Sequence, residues 1–99
     1  MNKEDKYTFL NLPLLPARLN ALETSWYLGF QLHEISILVS SGLLEPIGHP
    51  PTNTPKFFAA ETLAELRTDE KWLEKATDAI STYWRRKNGQ KQAGRKRRI

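Results

Sequence analysis

The stretch from Leu19 to Leu44, LNALETSWYLGFQLHEISILVSSGLL, constrains the fold more than any other part of the chain. Asn20 followed by Glu23 has the spacing of a capping box, in which each side chain satisfies a backbone donor left over at a helix start. Leu22 and Trp26 then share a face, with Ser25 beside them. Gly29 falls where that helix should end, because glycine alone enters the left-handed conformation without a Cβ penalty. A second helix is expected from about Leu32, with Ile35, Leu38 and Val39 forming its buried stripe at three- and four-residue spacing. Gln31, His33, Glu34, Ser36, Ile37 and Ser40 are expected elsewhere on its surface, and Gly42 closes it. Two short helices with a glycine between them and a glycine after them fit a helix-turn-helix unit.

The flanks can be read from the same signals. Residues 1–18 begin with a polar stretch and continue as Phe9, Leu10, Leu12, Leu14 and Leu15 around Pro13 and Pro16. The prolines exclude a continuous helix there, so an extended arm over the core is expected, with a partner-binding strand as the alternative. Leu43 to Ile47 and Lys56 to Phe58 are expected to pair as a hairpin around a loop stiffened by Pro50, Pro51 and Pro55. In that loop Thr52, Asn53, Thr54 and Lys56 are the candidate phosphate contacts, against the alternative of a solvated turn. Ala60 to Arg67 reads as a third helix, with Leu63 and Leu66 inward and Ala59 as a poor cap. Thr68 or Asp69 starts the longest helix, expected to end near Asn88 and Gly89, with Trp72, Leu73, Ala76, Ala79, Ile80, Tyr83 and Trp84 on one stripe. Residues 89–99 have two glycines, many bases and almost no apolar surface, which predicts a disordered tail.

The set Leu19, Glu23, Leu28, Gly29, Ile35, Leu38, Ser41, Gly42 and Leu44, followed by Gly48, Phe57, Phe58 and Leu63, resembles the excisionase and MerR-like winged helix-turn-helix family. The resemblance covers roughly half the chain. It implies a mainly α fold: a winged helix-turn-helix domain over 19–67 with a short β-hairpin wing, then a long C-terminal helix over 68–88 and a basic tail. It also implies double-stranded DNA as the partner, with the second helix in the major groove and the wing near the backbone. A C-terminal helix makes the dimer in MerR-like proteins, which suggests a homodimer here; packing of that helix on its own domain is the alternative. One departure stands out: the second helix carries no arginine or lysine.

Charge explains how that departure could be tolerated. The chain has 99 residues and a formal net charge of +4, but the two ends differ. From Arg85 onward Arg85, Arg86, Lys87, Lys91, Arg95, Lys96, Arg97 and Arg98 are accompanied by no acid, whereas the preceding residues hold seven bases and eleven acids. The body is acidic, and the phosphate affinity of the chain is therefore expected to come from the C-terminus.

Other chemistries find little footing. With no cysteine there is no disulfide, thiolate metal site or cysteine nucleophile. His33 and His49 belong to no recognisable nucleophile motif, and no glycine loop of the phosphate-cradling kind is present. No cofactor, metal or membrane partner is expected, and the chain is expected to be cytoplasmic, or nucleoid-associated if bacterial. The expected function is noncatalytic DNA binding, as a transcriptional regulator or excisionase-like accessory factor. Gln31, His33, Ser36, Ile37 and Ser40 are the candidate base-reading residues. The alternative is a protein-interaction module on a degenerate helix-turn-helix, its second-helix face meeting protein and its tail an acidic partner or RNA. Ile37 is expected on the reading face, so Ile37→Arg is expected to preserve or improve DNA binding if that face meets DNA and to disrupt association if it meets protein.

Overall fold

The computed structural model describes residues 3–96, with side-chain surroundings described for residues 4–89. The described residues are mainly helical, with one small antiparallel sheet. In chain order they form α1 (Lys3–Leu10), β1 (Arg18–Asn20), α2 (Ala21–Leu28), α3 (Leu32–Ser40), β2 (Phe57–Ala59), α4 (Ala60–Arg67) and α5 (Glu70–Lys96).

The helix pair forms as its punctuation predicts. The Glu23 N–H donates to Asn20 Oδ1 at 2.8 Å and the Asn20 N–H donates to Glu23 Oε1 at 3.0 Å, completing the capping box of α2. At the other end Gly29 has φ +88°, and the Phe30 N–H reaches back to the Ser25 carbonyl at 2.9 Å. α3 ends in the same way, with Gly42 at φ +81° and the Leu43 N–H on the Leu38 carbonyl at 3.0 Å. α4 matches its expected span, and Asp69 caps α5 by accepting from the Trp72 N–H at 3.1 Å.

Leu19, Leu38, Phe58 and Leu63 are the largest fully buried apolar side chains of the core. Trp72, Ala76 and Ile80 bring α5 onto it, packed chiefly against α3 and α4. The Trp72 indole N–H donates to the Leu43 carbonyl at 3.0 Å, pinning the start of α5 to the end of α3. The apolar stripe of α5 is thus used within its own chain as far as Ile80. Thr24, fully buried on α2, has a side-chain oxygen with no hydrogen-bond partner among the described residues.

Four sequence expectations need correction. The N-terminal arm starts as a helix: α1 occupies Lys3–Leu10, its Phe9 entering the core beside Trp26 at a ring separation of 5.7 Å. Only the proline-containing stretch after it is irregular, because Pro13 and Pro16 stop the helix from continuing. The expected hairpin is replaced by pairing between β1 and β2, in the register Arg18↔Ala59, Leu19↔Phe58 and Asn20↔Phe57. The segment before the loop reaches β2 only through the Ile47 N–H, which donates to the Phe57 carbonyl at 2.8 Å.

Third, Ile37 is only 9 % exposed and belongs to the core, not to the open face of α3. α5 covers that side of α3, giving the helix a second packed flank beside its Ile35 and Leu38 stripe. Fourth, α5 does not stop at Asn88 and Gly89 but runs to Lys96, so the expected irregular tail is helical as far as that residue. Gln90, Lys91, Gln92, Ala93, Arg95 and Lys96 are good helix formers, which offsets the cost of about 1 kcal/mol for an interior glycine. Residues 97–99, with Arg97 and Arg98, lie outside the described residues.

Candidate nucleic-acid interface

α3 owes its position to elements on both sides. Ile35 and Leu38 hold it to the core, and Ile37 faces the groove where α5 runs alongside. What remains outside is Gln31, just before the helix, and Leu32, His33, Ser36 and Ser40 on it, all exposed. His33, Ser36 and Ser40 share an open surface, Gln31 stands apart from them at the helix start, and Ile37 is removed from the set.

Each has a definable chemical state. Gln31 precedes α3 in extended conformation, and its backbone N–H donates to the Glu34 carboxylate at 2.8 Å. The same bond ties Glu34 back to the helix start, where its negative charge meets the positive end of the helix dipole. The His33 ring lies edge-on to Trp84 with centroids 5.9 Å apart. Ser36 and Ser40 stand on a ridge between two depressions, lining both.

Those depressions bring in the charge that α3 lacks. On one side Lys56, half-buried, lines a hollow of about 160 Å³ with Ser36, Ser40 and Phe58. On the other a groove of about 570 Å³ separates α3 from α5, with Arg86 among its lining residues. The Lys87 ammonium lies 5.5 Å from the Tyr83 ring centre and 5.8 Å from that of Trp84. Arg85 makes an ion pair with Asp78 at 3.9 Å, but both side chains are largely exposed and such pairs contribute little. A helix without its own cations is therefore flanked by cations from two neighbouring elements.

The loop before β2 contributes unequally. Thr52 and Asn53 are exposed, Asn53 having the left-handed φ of +69° that its short amide side chain tolerates. The Thr54 hydroxyl donates to the Pro51 carbonyl at 2.6 Å. Its proton is committed within the turn, which leaves Thr54 a poor donor to phosphate and corrects its standing as a candidate. Lys91, Arg95 and Lys96 lie on the α5 backbone beyond the described side chains.

Sequence reasoning missed the aromatic wall of the groove. Tyr83 and Trp84 are 38 % and 39 % exposed, although spacing puts them on the stripe that begins with buried Trp72. The available signal was their position directly before Arg85, Arg86 and Lys87, past the point where α5 has core to cover. Among the described residues no group of three or more histidine, cysteine, aspartate or glutamate side chains is placed to hold a metal ion. No described helix is long and apolar enough to cross a membrane.

No family model, curated protein or solved structure matches this chain.

Proposed function

We propose that the chain is a noncatalytic DNA-binding protein of winged helix-turn-helix type, akin to the excisionase and MerR-like family, that docks α3 in the major groove. The observation that carries this reading is the exposed His33, Ser36 and Ser40 on a helix flanked by Lys56 and Arg86, with exposed Gln31 at the helix start. α3 has nine residues and is about 14 Å long, and a helix diameter of about 10–12 Å with side chains suits a major groove roughly 12 Å wide.

In this arrangement Gln31 is the strongest base reader, since a side-chain amide matches the paired donor and acceptor of adenine. His33, Ser36 and Ser40 contribute single hydrogen bonds, so discrimination is modest. Lys56, Thr52 and Asn53 meet phosphates on one side, and Arg85, Arg86 and Lys87 on the other. The three α5 cations, each neutralising one phosphate, contribute a fall in affinity of about 2.7 decades per tenfold rise in salt.

Selection of the full chain against a random duplex library tests the reading. Recovery of a motif, and a salt slope reduced by about 2.7 when Arg85, Arg86 and Lys87 are all changed to glutamine, is the expected result. No enriched sequence, together with binding indifferent to salt, refutes it.

A further inference from the structure

The groove between α3 and α5 has a character that the reading of DNA does not use. Ile37 and Ala79 contribute apolar surface to it, and Tyr83 and Trp84 stand half uncovered at the Arg86 end. Duplex DNA has no protruding apolar group larger than a thymine methyl to place there. The groove volume of about 570 Å³ instead accommodates a bulky apolar side chain together with the backbone that carries it.

The charge around the groove selects the rest of the ligand. No carboxylate lines it, Arg86 does, and Lys87 stands over the two aromatic rings. The acids closest in sequence to its lining residues are Glu34, whose carboxylate accepts from the Gln31 N–H, and Asp78, which lies 3.9 Å from Arg85 at the surface. An apolar anchor beside carboxylates is the complement of this surface, as in other grooves that take a short segment through one or two buried side chains.

We propose that the α3–α5 groove docks a short acidic peptide carrying one bulky apolar side chain, and that its occupation shuts α3 off from DNA. His33, Ser36 and Ser40 line the groove and also form the reading row, so one ligand covers what the other needs. The docking stands independently of DNA binding; the exclusion rests on the function proposed above.

The test pans a displayed random-peptide library against the purified full chain and measures the selected peptide by titration, without DNA and then against bound duplex. The expected winners combine an aromatic or large aliphatic residue with aspartates or glutamates. Ala79→Leu, which fills the groove from a helix position while leaving the core and the reading row in place, should weaken the peptide by at least about tenfold and leave duplex binding unchanged. Arg86→Glu should weaken the peptide about fivefold or more, and the wild-type interaction should fade as salt rises. Circular dichroism of both variants establishes that they fold.

Failure to enrich any peptide, or enrichment of peptides indifferent to Ala79→Leu in a folded variant, overturns the docking whatever DNA does. Binding of single-stranded oligonucleotides that is lost in Ala79→Leu, with no peptide selected, would show that the groove takes bases and also overturns it. Peptide and duplex bound simultaneously by the same molecule removes the exclusion. Peptide binding without any duplex binding upholds the docking and instead defeats the DNA reading.

Discussion

Gly29→Ala measures how firmly the α2–α3 turn sets the position of the candidate reading helix. The backbone there has φ +88°, and a methyl group added at Gly29 meets nothing within 4 Å. Steric overlap therefore drops out, leaving the left-handed conformation itself as the cost, about 1–2 kcal/mol for an L-residue. Alanine also restricts the unfolded chain, which returns about 0.4–1 kcal/mol. The net destabilisation should be about 1 kcal/mol, and the melting temperature of a domain this size should fall by about 4–8 °C. Urea unfolding followed by tryptophan fluorescence, with thermal unfolding followed by circular dichroism, reads both quantities. Gly29→Asn should fall between the wild type and the alanine variant, because asparagine enters this region more readily. An alanine variant as stable as the wild type, or an asparagine variant less stable than alanine, refutes the left-handed assignment. Gly89→Ala supplies the opposite sign: Gly89 lies inside α5 without a positive φ, so alanine should raise the helical signal, and a loss of helicity there would mean that the helix ends at that glycine.

Other substitutions probe different parts of the chain. Thr24→Val replaces the buried unpartnered hydroxyl with a methyl of similar size and should stabilise the fold by about 1 kcal/mol, as read by urea titration. Trp72→Phe removes the indole donor from the Leu43 carbonyl and should cost about 1–3 kcal/mol in the same assay; a neutral outcome would mean that the bond contributes nothing. Ile37→Arg no longer distinguishes DNA from protein ligands, because it places a guanidinium at a core position; broad loss of folded signal is expected. Gln31→Ala should weaken the selected duplex by about 1–3 kcal/mol and relax preference at one base pair, measured by competition among mutated sites; an unchanged preference removes Gln31 from base reading.

What the sequence made legible and what it hid divide along physical lines. The capping box at Asn20 and Glu23, the reversal at Gly29, the span of α4 and the Asp69 cap all depend on residues within a few positions of one another, and each is found where expected. The partner of β2 is different. Phe57–Ala59 pairs with residues some forty positions earlier, and three-residue strands carry too little alternation to announce a partner. The nearer segment, Leu43–Ile47, attracts the eye because it is adjacent, yet it makes a single backbone bond to β2.

The candidate site shows the same limit. The exposure of His33, Ser36 and Ser40 follows from the period of α3 and was readable. Ile37 was misplaced because helical periodicity describes one buried stripe, and α3 has a second flank created by α5, some forty residues later. The start of α1 was hidden for another reason: KEDKYTFL has little amphipathic pattern, and only Phe9 is buried.

The short ladder between Arg18–Asn20 and Phe57–Ala59 makes the intervening chain a fastened ring, with the Ala60 N–H also bound to the Ala17 carbonyl at 2.9 Å. The turn around Thr52 and Asn53 is the ring's far side, tied down at its base only by the bond from Ile47 to Phe57. Doubling the length of such a turn adds only about 0.6 kcal/mol of closure entropy. A reporter peptide spliced between Thr52 and Asn53 should therefore be carried without loosening the clasp that holds the helices, which makes this turn the place where the fold tolerates cargo.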